Sequence, residues 1–205
     1  MDCIFGELPF VAVYIDDILI FSRNEADHRD HINQVLHLLQ QNGLVARLDK
    51  CFFGLPEVDF LGHHISASGI TPLKEKVEAI SKFPRPTSIK KVQEFVGLLT
   101  YYHRFVPNAA KLIAPLYELT SGKKDFEWTA THEAAFNAGK DTLASTSLLA
   151  LPDPRLPVQL VTDASDVAVG ATLQQEVTDD DTGSTYTVPI VFFSKKLRPA
   201  EHKYS

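Results

Sequence analysis

Two apolar runs open the chain, and a pair of acidic residues separates them. Phe10 to Tyr14 and Ile18 to Phe21 each have strand character, with Asp16-Asp17 between them, and this pattern predicts a hairpin with a carboxylate tip. Ser22 or Asn24 can cap the helix that follows, whose apolar face carries Ile32, Val35, Leu36, Leu38 and Leu39 and which ends at Asn42-Gly43. A short strand is expected near Leu44 to Leu48, followed by Phe52-Phe53. Another strand is expected from Val58 to Ile65, interrupted by Gly62, and Ser68-Gly69 then turns the chain. From Thr71 to about Thr146 the apolar period lengthens to that of helices. One helix should run from Thr71-Pro72 to about Phe83, and Pro84-Arg85-Pro86 stops it. A second is capped by Ser88 and buries Val92, Phe95, Val96, Leu98 and Leu99. A third follows Pro107 and a fourth starts at Thr131. Pro152, Pro154 and Pro157 make a rigid linker. Strand patterns return at Val158–Thr162, Val169–Gln174 and Val188–Phe193, with the polar stretch Asp179–Thr185 as a hairpin loop.

Composition narrows the class. A length of 205 residues allows one or two cores, and 44% apolar with 22% charged residues is ordinary for a globular chain. The net charge of -6 excludes a uniformly basic nucleic-acid binder. Locally the balance differs: Lys74 to Arg104 holds seven basic and three acidic residues, whereas Asp163 to Thr185 holds six acidic and no basic ones. Cys3 and Cys51 alone supply neither a disulfide framework nor a zinc ligand set, which suits an intracellular, reducing compartment. No signal peptide or membrane-length apolar run is present, so no membrane partner is expected. Both ends read as cuts through domains, and the chain is expected to be a fragment.

Adjacent carboxylates on an apolar hairpin repel each other, and a divalent metal compensates that repulsion. Two-metal phosphoryl transfer needs carboxylates on rigid strands, to hold ions roughly 3.5–4 Å apart. The plainer alternative is that Asp16-Asp17 are turn residues. The long apolar arms and Tyr14 ahead of the pair weigh against it.

The segment Leu8 to Ser22, centred on Tyr14-Ile15-Asp16-Asp17, resembles the polymerase signature of gypsy-type LTR retrotransposons and their retroviral relatives. The likeness continues in family order. It runs through Asp27-His28 and His31, Asn42-Gly43-Leu44, Lys50-Cys51, Phe53-Gly54, Phe60-Leu61-Gly62-His63 and Gly69-Ile70. Phe95 to Leu98, Tyr101 to Val106, Pro115-Leu116, Phe126 to Thr129 and Leu151 to Asp153 follow. Thr162 to Ser165, Gly170-Ala171 and Phe193 to Leu197 complete it.

The resemblance implies an α+β fragment of a reverse transcriptase with ribonuclease H. Residues 1–69 would be the C-terminal part of the palm with a primer-grip-like hairpin, 70–150 a helical thumb-like segment, 151–157 the linker, and 158–205 the first strands of a ribonuclease H-like domain. Asp16 and Asp17 would be palm carboxylates and Asp163 the first ribonuclease H carboxylate, all binding Mg2+, with Mn2+ as the alternative. Tyr14 would lie near the primer end, and Phe60, Leu61, Gly62 and His63 would grip it. Lys74, Lys90 and Lys91 would meet backbone phosphates, although a solvated helix surface is the plainer reading of any one lysine. Partners implied for the parent are RNA/DNA template-primer, dNTPs and the remainder of the Pol polyprotein, and its setting a cytoplasmic particle or the nucleus. The family's upstream palm carboxylate and later ribonuclease H carboxylates are absent from this sequence, so the chain alone is expected to be inactive. The alternative is a non-catalytic, host-adopted binding protein.

Other residues are set aside. Tyr101, Tyr102 and Phe105 have the helical spacing of core residues. Adjacent His63 and His64 should face opposite ways on a strand. His28 and His31 share a helix face, which reads as solvated in the absence of a third ligand. Asp181-Thr182-Gly183-Ser184 matches the aspartic-protease tetrad but lies in a polar loop, and Glu201 is a surface position by family alignment.

Overall fold

The computed structural model describes residues 2–120, 126–145, 148–179, 182–198 and 201. The chain divides into two compact units, Met1–Phe60 and Leu61–Ser205.

In the first unit, β1 (Val11–Tyr14) and β2 (Asp17–Ile20) pair antiparallel, with Val11 opposite Ile20, Val13 opposite Ile18 and Tyr14 opposite Asp17. Val11, Val13, Ile18 and Ile20 form the inner face and pack on Phe5, Val35 and Leu39. Phe5 ends the short helix α1 (Asp2–Phe5), and Val35 and Leu39 belong to α2 (Glu25–Gln41). The N-cap of α2 is Asn24, whose side-chain oxygen accepts from the Asp27 amide at 2.9 Å. At its other end Asn42 is the C-cap and Gly43 adopts φ +68°. The apolar face of α2 is narrower than its sequence suggests, since Leu36 is exposed. The expected strand at Leu44–Leu48 is absent. The chain forms a 3-10 turn at Leu48–Lys50, and Val45, Leu48 and Phe52 are exposed, because β propensity needs a paired neighbour to become a strand. Strand β3 (Glu57–Phe60) closes the unit.

The second unit begins with a hairpin of β4 (His63–Ser66) and β5 (Gly69–Pro72). Thr71-Pro72, expected to open a helix, is therefore in a strand, where Thr71 lies opposite His64 and Pro72 opposite His63. Helix α3 starts later, at Lys74, and ends at Ser81. Helix α4 (Ile89–Tyr101) is capped by Ser88, α5 (Ala109–Thr120) follows Pro107, and α6 (Ala130–Ala144) is opened by a capping box of Thr129 and His132. Strands β6 (Val158–Ala164), β7 (Ala168–Thr178) and β8 (Thr185–Lys196) form an antiparallel sheet in that order. Their hairpin loop is the expected acidic stretch. The Asp179 carboxylate accepts from the Thr182 amide, while Asp180 and Asp181 lie outside the described residues.

Phe95 is the centre of this unit. It is fully buried, with its ring 5.3 Å from that of Phe83 and 4.5 Å from that of Phe136. Around it Val92, Leu99, Phe105, Ile113, Leu116 and Leu143 form one cluster, and Phe192 of β8 packs against it. The proline-bearing linker is fastened by buried Gln175 of β7. Its amide nitrogen donates to the carbonyls of Asp153 and Leu156, and its side-chain oxygen accepts from the Asp153 amide.

Truncating Phe95 to alanine removes the ring from this cluster and should destabilise the second unit by about 3–5 kcal/mol. Urea denaturation followed by circular dichroism measures this, and a loss below about 1 kcal/mol would contradict the central place given to Phe95.

Candidate functional site

Hydrogen-bond register places the two acidic residues of the first unit at the hairpin tip. Ile15 and Asp16 make the two-residue turn and Asp17 begins β2. Both carboxylates are exposed, and neither has an ion-pair or hydrogen-bond partner among the described residues. Tyr14 faces outward from the apolar side and is 54% exposed. Ile15 adopts φ +53°, a conformation that a β-branched residue enters at a cost of about 1–3 kcal/mol. Among the described residues nothing at the tip makes up for this strain or for the carboxylate repulsion, whereas the buried inner face of the hairpin holds the arms in register.

Behind the tip, Ser22 Oγ lies 3.0 Å from His28 Nδ1 and 2.7 Å from His31 Nδ1. The His31 ring stacks on Phe10, with centroids 3.5 Å apart and planes 1° apart. These histidines are partly buried structural contacts that pin α2 to both strands. That corrects the expectation of a merely solvated face.

In the second unit, Leu61 and Gly62 form a turn in which both residues are left-handed, at φ +48° and +74°. Glycine suits that conformation and leucine does not. A side chain at Gly62 would lie 3.1 Å from the Tyr102 hydroxyl oxygen, so the turn backbone is closely approached. Tyr101 Oη donates to the Leu61 carbonyl at 2.5 Å and Tyr102 Oη to the Gly62 carbonyl at 3.2 Å. His63 sits among the rings of Tyr101, Tyr102 and Phe105, at 5.7, 5.8 and 5.4 Å. Tyr102 and Phe105 are core residues as expected, but Tyr101 is 52% exposed and reaches the turn by its hydroxyl. Burial pushes the Tyr102 phenol above its ordinary value, with smaller contributions from Tyr101 and Glu75.

The basic residues of the helical segment are unevenly engaged. Lys91 pairs with Glu94 at 2.7 Å and Lys82 with Glu78 at 3.0 Å. Arg85 pairs with Glu133 at 3.2 Å and lies over Trp128. Lys74 and Lys90 are exposed, with no partner among the described residues. Of the lysines singled out in the sequence, these two are free to meet an anion and Lys91 is partly neutralised.

Asp163 is exposed near the end of β6, opposite Gly170, which is itself opposite Ser194. The first turn of α5 and Asn108 just before it dock on this row. The Ala110 amide donates to Ser194 Oγ at 2.8 Å, and a Cβ on Gly170 would fall 2.5 Å from Asn108 Oδ1. Asn108, Lys111, Asp163 and Ser165 line one shallow cleft. Sequence reasoning missed Asn108 and Lys111. Glu201 is held locally. It accepts from the Arg198 amide and pairs with Lys195, and both contacts lower its carboxyl below the usual range.

The chemistry of these donors suits a hard divalent cation, which prefers carboxylate oxygens. The set is partial at each place, with two carboxylates at the hairpin tip and one on β6. Among the described residues no group of three histidine, cysteine or carboxylate side chains is gathered.

Residues 1–65 match the family model for reverse transcriptase (RNA-dependent DNA polymerase), and residues 128–205 match that for the RNase H-like domain found in reverse transcriptase. The chain belongs to the reverse transcriptase–ribonuclease H region of retrotransposon polyproteins. It is 35% identical over 195 residues to the Transposon Tf2-3 polyprotein of Schizosaccharomyces pombe, covering 95% of this chain and 14% of that protein. To the Tf2-7 polyprotein it is 34% identical over 207 residues, covering 100% of this chain and 15% of the relative. The chain thus spans about one seventh of the curated relatives it matches. Among solved structures, foamy viral protease-reverse transcriptase in complex with RNA/DNA hybrid is similar at a TM-score of 0.78 and 25% identity, over 100% of this chain and 27% of that one. The same viral protein in complex with dsDNA gives a TM-score of 0.75 at 25% identity, covering 42% of that chain.

Within this reverse transcriptase fold the strain at Ile15 is separable from the chemistry. Replacing Ile15 with glycine should stabilise the first unit by about 1 kcal/mol, because relief of the steric strain outweighs the conformational entropy that glycine adds to the unfolded chain. A fall in stability on thermal unfolding would mean that the side chain, not the turn, matters there.

Proposed function

We infer that this chain supplies the carboxylate hairpin, the primer-terminus turn and the helical segment of an RNA-directed DNA polymerase, together with the first acidic strand of its ribonuclease H. The observation that carries this reading is the pair of exposed, unpartnered carboxylates on a strained tip whose arms are fixed by a buried face. In the parent polyprotein the substrates would be RNA/DNA template-primer and dNTPs, and the metal Mg2+ or Mn2+.

Asp16 and Asp17 would hold the cation together with donors from elsewhere in the polyprotein, and Asp163 would do the same at the second site. A bound cation stabilises the charge that develops on the attacking and leaving oxygens. The chain's own residues do the positioning. Tyr14 offers an exposed ring beside the carboxylates, Leu61-Gly62 presents backbone for close approach to a sugar-phosphate chain, and Lys74 and Lys90 offer free cations for backbone phosphates. The reverse transcriptase model over residues 1–65 supports reading 1–69 as palm, and the ribonuclease H-like model over residues 128–205 takes in 158–205 and also α6, so the thumb reading of 70–150 rests on its helices alone.

Two results test the reading. In the full-length reverse transcriptase carrying this segment, Asp16→Asn or Asp17→Asn should lower primer extension by about a thousandfold or more, whereas Asp163→Asn should suppress RNA cleavage and spare extension. The isolated chain, with partial donor sets, should extend a primer no faster than background in Mg2+. Extension retained within tenfold in either hairpin variant would refute the assignment.

A further inference from the structure

We propose that Tyr101 and Tyr102 are positioning residues that set the conformation of the Leu61-Gly62 turn, so that the C-terminal end of α4 governs how that turn meets a primer terminus. The inference rests on the reading of the turn as a primer-terminus contact, and goes beyond it in naming what holds the turn.

The turn does not hold itself. Leu61 stands in a left-handed conformation disfavoured for its residue type, and such a state persists only when its surroundings impose it. The surroundings are two consecutive phenols. Consecutive residues of a helix point about 100° apart, so one helix face cannot bring both to a single target. Here the helix ends at Tyr101, and Tyr102 is its C-cap, at φ −96° and ψ 12°. The change of backbone course at the helix end lets both hydroxyls reach neighbouring carbonyls, Leu61 and Gly62. The Leu73 amide also donates to the Gly62 carbonyl, at 3.1 Å, which gives that oxygen two donors.

Packing excludes looser arrangements. The Tyr101 and Tyr102 rings meet edge to face at 4.9 Å, and His63 fills the space between them and Phe105. Gly62 must be glycine both for its φ and because a side chain would press on the Tyr102 hydroxyl. Tyr102 is buried and anchors the pair in the core, whereas the half-exposed Tyr101 spends its only donor on the turn. A tyrosine present only for packing would not need its hydroxyl there, and this separates positioning from bulk.

The test removes hydroxyls and keeps rings. Tyr101→Phe and Tyr102→Phe are compared with the unaltered full chain by amide hydrogen exchange of residues 60–66 and by fluorescence anisotropy. The anisotropy probes are a DNA duplex with a recessed 3′ end and a blunt duplex of equal length. Each variant should keep its thermal midpoint within a few degrees, exchange the turn amides about three- to tenfold faster, and lose preference for the recessed end by a similar factor. Tyr102→Leu, which also removes the ring, should lower the thermal midpoint and so mark what a packing defect looks like. If both phenylalanine variants exchange the turn amides at the original rate, the hydroxyls do not set the turn and the proposal is wrong. If exchange quickens but the unaltered chain does not distinguish the two duplexes, the clamp stands and the primer-terminus reading fails.

Discussion

Burial of the Phe95 ring between Phe83 and Phe136 is the interaction on which the second unit depends. Helices α3 to α6 are short, at 8 to 15 residues, and helices of that length have little stability of their own in water. Their order comes from sharing one apolar cluster with Phe95 at its centre, which also reaches Phe192 of β8. The surface of the unit inherits its geometry from that cluster. Tyr102 and Phe105 belong to it, so the aromatic cage around His63 is an outgrowth of the core.

The first unit has a smaller core, of Phe5, Val35 and Leu39 with the inner face of the hairpin. That core fixes the register of β1 and β2, and register alone decides which residues form the tip. A slip of one residue would turn Val11 and Val13 outward and carry Asp17 out of the position opposite Tyr14. The apolar arms are therefore what makes two repelling carboxylates a defined site. Ser22, bonded to His28 and His31, adds a polar fastening at the far end of the same strands.

Much of this could be read in the sequence because it was written in local pattern. Hairpin β1–β2, the caps at Asn24 and Ser88 and the buried face of α4 all follow from periodicity and side-chain chemistry. The errors lie where pairing overrides propensity. Leu44–Leu48 has strand residues but no strand, and Thr71-Pro72 has a helix-start pattern but lies opposite His64 and His63. The carboxylates were legible as chemistry, and the family resemblance implied roles for them. What holds the turn at Leu61-Gly62 was not legible, since Tyr101 lies forty residues away and its spacing is that of a core residue. Asn108 was equally hidden, for its significance lies in the absence of a side chain at Gly170.

The stretch from Tyr101 to Ala110 joins these long-range contacts. At its start two phenols grip the Leu61-Gly62 turn; at its end Asn108 and the Ala110 amide dock beside Asp163 on the row it shares with Gly170 and Ser194. Between them Phe105 and Val106 are buried in the common core, so the stretch cannot slide without disturbing packing. Asn108, at φ +53°, is a second non-glycine residue held in a left-handed conformation by its surroundings. Ten residues thus fix the backbone geometry of two places that lie a hundred residues apart in sequence. Separate anchors could let those places drift independently. A single buried segment ties any displacement of one to the other.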